Sequence, residues 1–364
     1  MPHLDYLKQA SQLANQANGK QIRPNPFVGA IVVDENGAVI GEGFHQQYGG
    51  LHAEVFAINA ALQKSEDLSK TTLYVTLEPC SHFGKTPPCT NLILQHKIPR
   101  IVIGSRDPNP KVSGIDILKQ NGVEVIEIMV TEIEKMNAVF FINQLKKRPL
   151  IQLKMATTIN GKIADRIGNS QWISNTASRE YVHTTLRDNV DAILTTAKNI
   201  IQDKASLNIR MNEAIQELNV IVIDRELDLL KPEHQSLPIF YERMNSKIYL
   251  LSKKTTKNLP KNIEIINVEF DEKNQLKLEG LGESLLQLNI CKVLIEAGSK
   301  LSSYLIENNW ADELVVFIAP KLIMDKQAMN VFENDREHLL NAATSLQLEE
   351  TKLLGDDIML RYLF

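Results

Sequence analysis

Residues 52–62 (His52-Ala53-Glu54-Val55-Phe56-Ala57-Ile58-Asn59-Ala60-Ala61-Leu62) have helical character and open on an imidazole and a carboxylate. Residues 76–89 (Thr76-Leu77-Glu78-Pro79-Cys80-Ser81-His82-Phe83-Gly84-Lys85-Thr86-Pro87-Pro88-Cys89) leave a strand, Thr72–Leu77, for a loop carrying two thiols. Pro87 and Pro88 then sit near the first turn of a second helix, Pro88–His96, where proline is tolerated. Upstream, Val28–Val33 is a buried strand, Asp34-Glu35-Asn36-Gly37 a hairpin turn and Ala38–Gly43 the returning strand. Before it, Leu4, Leu7, Ala10, Ala14 and Ala17 recur at helical spacing, with Gly19 as the expected stop. Downstream, strands at Arg100–Gly104 and Val123–Ile128 alternate with helices at Ile115–Asn121 and Thr131–Phe141. This alternation predicts a layered α/β domain.

The 364 residues suit two domains, and 43% hydrophobic with 23% charged residues lets each bury a core. Asn143–Pro149 is polar and basic and ends in proline, so the first domain is assigned to residues 1–145 and the second to 146–364. The second is rich in strands: Leu150–Met155, Val190–Leu194, Val220–Asp224, Lys247–Leu251, Ile263–Val268, Lys292–Glu296, Glu313–Ala319 and Asp357–Phe364. Helices are expected at Ala177–Arg187, Gly282–Leu288 and Lys300–Asn308. A net charge of -4 argues against a chain that coats a polyanion, and neither a membrane-spanning run nor a secretory leader is evident. The cytoplasm is the expected compartment. Three cysteines do not make a disulfide framework, and Cys291 is expected to be an ordinary buried residue.

His52, Cys80 and Cys89 offer one imidazole and two thiolates. Three protein ligands with a fourth position open mark a catalytic zinc site, whereas structural sites close all four. The open position suits a water whose pKa the metal lowers toward neutrality. Glu54, two residues from a ligand, is placed to carry protons between that water, a ring nitrogen and a leaving amine. His-x-Glu followed by Pro-Cys is the signature of zinc deaminases. Eight residues separate the two cysteines here, where the general signature has two.

The insert is itself distinctive. The segment Thr76–Cys89 resembles the zinc segment of the riboflavin-pathway deaminases. So do Arg23-Pro24-Asn25-Pro26 with Val28-Gly29, Gly41-Glu42-Gly43-Phe44-His45, and Arg106-Asp107-Pro108-Asn109-Pro110-Lys111-Val112-Ser113-Gly114. In this order the blocks resemble the fused diaminohydroxyphosphoribosylaminopyrimidine deaminase and 5-amino-6-(5-phosphoribosylamino)uracil reductase family. The resemblance implies a cytidine-deaminase-like three-layer domain followed by a dihydrofolate-reductase-like α/β domain. It implies deamination of 2,5-diamino-6-(5-phosphoribosylamino)pyrimidin-4-one, then NADPH-dependent reduction of the ribosyl group to ribityl. By position, Asn25, His45, His82 and Lys85 match substrate contacts of the deaminase. Leu51 stands where the family commonly has proline.

The second domain has no Gly-x-Gly-x-x-Gly after a predicted strand, which argues against a Rossmann dinucleotide site. Gln152-Leu153-Lys154-Met155-Ala156, Gly161-Lys162-Ile163-Ala164, Ser170-Gln171-Trp172-Ile173-Ser174, Ile295-Glu296-Ala297-Gly298-Ser299 and Asp312–Lys321 resemble the family's reductase blocks. The resemblance implies that Ser170, Arg187, Leu207, Arg210 and Glu296 hold substrate, the two arginines its phosphate. It implies that Ala156, Trp172, Asn199, Asp203, Arg225, Gly298, Ser299 and Lys300 line the cofactor. Gly298 before a helix offers backbone N–H groups to a cofactor phosphate, and Arg225 suits a 2′-phosphate.

Three departures from the family fall in the second domain: Asn160 for aspartate, Lys204-Ala205 for Asp-Pro, and Arg225 for serine. The second departure motivates an alternative, an active deaminase whose C-terminal half holds substrate or oligomerises without reducing. A structural zinc protein would need a fourth ligand, and no cysteine is available nearby; a nucleic-acid deaminase would need a basic, aromatic-interleaved patch that is absent. The expected partners are therefore a small-molecule pyrimidine ribosyl phosphate and, from the family, other copies of the chain as a dimer or tetramer.

Overall fold

The computed structural model describes residues 3–83, 87–211, 214–243, 245–333 and 339–364. It forms two compact units, Met1–Arg148 and Pro149–Phe364. No helix among the described residues is long and apolar enough to cross a membrane.

The first unit runs α1 (His3–Ala14), α2 (Gly19–Ile22), β1 (Gly29–Val33), β2 (Val39–Phe44), α3 (Ala53–Leu62), β3 (Thr72–Val75), α4 (Cys89–Gln95), β4 (Arg100–Ile103), α5 (Gly114–Gln120), β5 (Glu124–Glu127), α6 (Thr131–Met136) and α7 (Ala138–Lys146). Its five-stranded sheet has the order β2-β1-β3-β4-β5. β1 pairs antiparallel with β2 and β3, while β3, β4 and β5 are parallel. The sheet has a core on each face. One is built from α3, α4 and α5 residues such as Ala57, Ile58, Ile93 and Leu118; the other from Tyr6, Leu7, Ala10 and Ile133.

Helix α3 lies directly on β2 because both present small residues. Gly41 and Gly43 face Ala57 and Ala61, and a Cβ on Gly43 would overlap Phe56 Cβ and stand 2.7 Å from the Ala53 carbonyl oxygen. This close approach fixes the height of the first turn of α3 above the sheet.

Two sequence expectations need correction in this unit. Gly19 does not simply end a helix: α1 stops at Ala14 and Gly19 opens α2, capped by the Asn18 side chain. The expected helix Thr131–Phe141 is two helices, broken at Asn137. That side chain accepts from Phe27 N–H (2.7 Å) and donates to the Phe27 carbonyl (3.0 Å), pinning the Arg23–Phe27 segment.

The second unit contains β6 (Leu150–Thr158), β7 (Lys162–Ala164), α8 (Thr176–Tyr181), β8 (Ala192–Thr196), α9 (Ala197–Asp203), β9 (Ile209–Met211), β10 (Ala214–Gln216), β11 (Asn219–Ile223), α10 (Pro238–Tyr241), β12 (Ile248–Ser252), β13 (Ile263–Asn267), α11 (Leu281–Gln287), β14 (Lys292–Ile295), α12 (Ser299–Glu307), β15 (Glu313–Ala319), β16 (Met329–Asn330), β17 (Gln347–Leu354) and β18 (Asp357–Leu363). Nine of the strands form one sheet in the order β13-β12-β11-β8-β14-β6-β15-β18-β17. From β13 to β15 it is parallel; β18 and β17 close it antiparallel. Apolar clusters cover both faces, so the central strands are near-continuous apolar runs.

The expected helix Ala177–Arg187 continues only to Tyr181. A wide π-type turn, Val182–Leu186, and a tight turn, Arg187–Asn189, follow it. β17 has no counterpart among the expected strands. Five of its eight residues are polar or charged, as suits an exposed edge. The chain divides between Arg148 and Pro149 because α7 carries through Lys146.

Replacing Gly43 by alanine should lower the unfolding free energy of the first unit by about 1–3 kcal/mol, the usual cost of overpacking. Urea unfolding followed by tryptophan-independent circular dichroism measures this, and an unchanged midpoint would contradict the close-packing account.

Candidate active site

In the first unit three elements converge. His52 is the residue before α3, Cys89 is the first residue of α4, and Cys80 lies in the loop after β3. One ligand atom of each lies within 4.8 Å of the others. His52 Nδ1 stands 3.5 Å from Cys80 Sγ and 3.3 Å from Cys89 Sγ. A tetrahedral zinc with Zn–S near 2.3 Å and Zn–N near 2.0 Å needs N–S separations of roughly 3.6 Å. The donor set therefore fits zinc.

The hydrogen bond with Cys89 holds the Cys80 thiol down to about 4, and the same contact, with burial, pushes Cys89 well up. A divalent cation would take the place of the shared proton. Glu54 lies outside the ligand cluster, in the first turn of α3, buried and in hydrogen-bond contact with Cys89. Burial raises its carboxyl above the ordinary range.

Of the sequence-matched deaminase contacts, Asn25 and His45 meet. The Leu51 carbonyl accepts from His45 Nδ1–H (2.9 Å), which leaves Nε2 to accept from Asn25 Nδ2–H (2.9 Å). The His45 ring stands edge-on to His52 with centroids 5.7 Å apart. His82 is exposed, two residues beyond Cys80, and Lys85 falls outside the described residues.

Two acidic residues of the quoted motifs had no assigned role. Glu78 accepts from Ile115 N–H (3.0 Å) and Asp107 N–H (3.3 Å), tying the start of α5 to the strand end that precedes Cys80. Burial pushes Asp107 up to about 6, with Glu78 adding to the effect, and His82 and Cys80 lie within its electrostatic reach. The visible signal was a carboxylate beside a proline at each place: Glu78-Pro79 and Asp107-Pro108.

In the second unit, Arg187 and Glu296 form a fork-to-fork pair, Nε to Oε1 at 2.6 Å and Nη2 to Oε2 at 3.0 Å. Arg187 Nη1 also donates to the Asn208 carbonyl (2.6 Å). Burial alone would raise Glu296, but Arg187 and Lys154 outweigh it and hold the carboxyl down to about 2. Burial, then Arg187, pushes His183 down to about 4, and His183 Nδ1 accepts from Arg210 N–H (3.1 Å). Arg210 Nη2 donates to Ser206 Oγ (3.2 Å). Arg187, Arg210 and Glu296 are thus brought into one cluster, together with Leu207, which sits in it at φ 56°. Lys154 belongs to it unannounced; its signal was a lone cation within the apolar strand β6.

The cofactor candidates follow strands that are parallel neighbours. Asn199 and Asp203 are on α9 after β8, Arg225 follows β11, and Gly298, Ser299 and Lys300 follow β14. All therefore lie at one edge of the sheet, outside the carboxyl ends of its strands, where α/β sheets bind ligands. Gly298 caps α12 with φ -76°, and a Cβ there would meet nothing within 4 Å. The glycine is not required by its own conformation; it leaves open space before uncapped helical N–H groups, which suits a phosphate.

Ala156 is half-buried in β6 opposite Phe317. Trp172 is 63% exposed, with the Arg179 guanidinium 4.5 Å from its ring centre, so it is not a core aromatic. Ser170 is partly exposed in the same loop. Arg225 donates to Glu226 (3.0 Å), and Lys253 and Lys254 pair with that same carboxylate at 2.6 and 2.7 Å. Asn160 uses both ends of its amide on Ile323, donating to the carbonyl (2.8 Å) and accepting from N–H (3.2 Å), which an aspartate could not do.

Residues 149–360 match the family model described as the RibD C-terminal domain. A riboflavin biosynthesis protein RibD from Actinobacillus pleuropneumoniae is 36% identical over 100% of this chain and 95% of its own length. The chain belongs to the RibD family. A second model, the cytidine and deoxycytidylate deaminase zinc-binding region, matches residues 2–105. Among other RibD proteins, that of Escherichia coli K12 is 30% identical over 98% of this chain and 97% of its own. The crystal structure of a Thermotoga maritima diaminohydroxyphosphoribosylaminopyrimidine deaminase/5-amino-6-(5-phosphoribosylamino)uracil reductase superposes with TM-score 0.81 at 33% identity. It covers 99% of this chain and 98% of that one. Acinetobacter baumannii RibD, form 2, gives 0.79 at 28% identity over 99% and 98%. As in the sequence reading, the RibD fold is a cytidine-deaminase-type unit followed by a reductase unit.

If the cluster holds zinc, purified protein should carry about one metal ion per chain, and Cys89→Ala should lose most of it because only two ligands remain. Elemental analysis after dialysis measures this. Full retention in the alanine variant would exclude the assigned ligand set.

Proposed function

We propose that this chain deaminates 2,5-diamino-6-(5-phosphoribosylamino)pyrimidin-4-one in its first unit and reduces the product's ribosyl group to ribityl in its second, within riboflavin biosynthesis. The observation that carries the first half is the three-donor cluster of His52, Cys80 and Cys89 with a buried carboxyl beside it. His52, Cys80 and Cys89 would hold a zinc ion, which would supply Lewis-acid chemistry and lower the pKa of a water toward neutrality. Glu54 holds and moves the protons, from the attacking water to the pyrimidine ring nitrogen and on to the leaving amine. Its position supports this role: the carboxyl is buried beside the donor cluster, and burial raises it above the ordinary carboxylate range. The hydrogen-bonded pair Asn25 and His45 offers a fixed donor and acceptor array to the substrate, with His82 and Lys85 serving its ribose phosphate end.

In the second unit, Arg187 and Arg210 take the substrate phosphate, Glu296 sets the Arg187 fork and holds ribose hydroxyls, and Ser170 and Leu207 complete the seat. The largely buried charge pair supports this, since its rigid geometry presents the remaining guanidinium donors in one direction. Ala156, Trp172, Asn199, Asp203, Arg225 and Gly298–Lys300 would hold NADPH, which would supply the hydride. The residues' work is alignment, because hydride transfer depends on position more than on a titrating group. The cations Arg225, Lys253 and Lys254 favour a cofactor carrying a 2′-phosphate. The reading includes a cytoplasmic location and a homo-oligomeric state, dimer or tetramer, which the family resemblance supports.

Glu54→Gln should keep its zinc and lose roughly 10²–10⁴-fold in ammonia release, while still oxidising NADPH with the deaminated substrate. Ammonia release at the unaltered rate would remove Glu54 from the mechanism. Separately, Arg225→Glu should raise KM for NADPH by about tenfold or more and leave KM for NADH nearly unchanged, since only one cofactor bears the 2′-phosphate. Equal effects on both cofactors would contradict the assignment.

A further inference from the structure

Outside the residues assigned above, one guanidinium of the second unit is fully buried among the described residues. Arg243, between α10 and β12, is fully buried. Its acceptors are neutral: Nε donates to the Ser206 carbonyl (2.9 Å), and Nη1 donates to the Leu218 carbonyl and to Ser246 Oγ (2.9 Å). Nothing among the described residues accepts from Nη2. Burial pulls its pKa down to about 10, so it stays charged at neutral pH; Glu217 and Glu242 favour the charge and Arg187 opposes it.

Ser206 opens the arc that carries Leu207, Asn208 and Arg210. Two carbonyls of this arc are taken by guanidinium groups, Ser206 by Arg243 and Asn208 by Arg187. Between them Leu207 holds φ 56°, a left-handed conformation disfavoured for a residue with a branched side chain. Such a conformation persists only where the surroundings over-determine it. The arc also carries Arg210, through Ser206 Oγ (3.2 Å), and Asn208 Nδ2 donates to the Glu242 carbonyl (3.2 Å), the residue before Arg243. We propose that Arg243 is a positioning residue of the reductase: it clamps the Ser206–Asn208 arc so that Arg187 and Arg210 stand ready for the substrate phosphate. This rests on the assignment of those two arginines to the phosphate.

A uniform carrier of stability would act differently. Losing it would reduce the fraction of working molecules, lowering apparent kcat and leaving KM alone. Loss of a clamp on the phosphate seat raises KM, while the hydride step of the bound complex keeps most of its rate.

The test measures steady-state reduction of the deaminated ribosyl phosphate by full-length Arg243→Met, Arg243→Lys and Arg210→Met proteins. Their deaminase rates serve as the internal control. For Arg243→Met the expected result is a KM raised about tenfold, a kcat within about threefold, and unaltered ammonia release. Arg243→Lys keeps the charge but not the fork, and should also raise KM; it decides the matter if the methionine variant does not fold. A lowered kcat with unchanged KM in the variant that folds overturns the proposal. If Arg210→Met raises KM and neither Arg243 variant does, the clamp is wrong and the phosphate assignment stands. If none of the three raises KM, both are wrong.

Discussion

Two thiols and an imidazole held within 4.8 Å of one another cannot all offer bare lone pairs, with both thiols deprotonated, unless a cation between them offsets the repulsion. Much of the first unit is arranged to meet this constraint. α3 must begin just after His52, and its height is set by the small residues of β2 beneath it. α4 must begin at Cys89, and the loop after β3 must return Cys80 to it. The contact between the two thiols draws Cys80 down to about 4 and, with burial, pushes Cys89 up. Glu54 stands next to the same cluster because it lies one residue inside the helix that His52 opens.

The second unit solves a related problem with fixed charges. Glu296, Arg187, Lys154 and His183 lie within electrostatic reach of one another, and the net result is a carboxylate and a guanidinium locked together. The wide turn Val182–Leu186 re-aims the chain so that Arg187 meets Glu296, 109 residues away in sequence. This bifunctional deaminase and reductase of riboflavin biosynthesis therefore holds a metal-type donor set in one unit and a pre-formed ion pair in the other.

The first site was legible in the sequence because its chemistry is written in residue types that have few other uses at that spacing. His52, Glu54, Cys80 and Cys89 are named by chemistry alone. Hairpin and strand signals such as Asn36-Gly37 and Glu313–Ala319 were equally direct. What could not be read depends on contacts between distant residues. The break at Asn137 is made by its bonds to Phe27, 110 residues earlier. The pairing of Arg187 with Glu296, and the capture of the Ser206 carbonyl by Arg243, join segments with no shared local pattern. β17 escaped because an edge strand with a polar, charged sequence has no apolar alternation to display. In the reductase, the cofactor roles proposed for Ala156, Asn199 and Asp203 rest on resemblance alone, since nothing in their types announces a cofactor.

The most direct measurement incubates the zinc-loaded protein with the diaminopyrimidinone ribosyl phosphate, with and without NADPH, while following ammonia and NADPH absorbance together. Ammonia in both samples, with NADPH consumed only after deamination has begun, is the predicted result. Ammonia without NADPH loss would contradict the reductase half. Neither signal, from protein shown to carry zinc, would contradict the assignment of this substrate to the site.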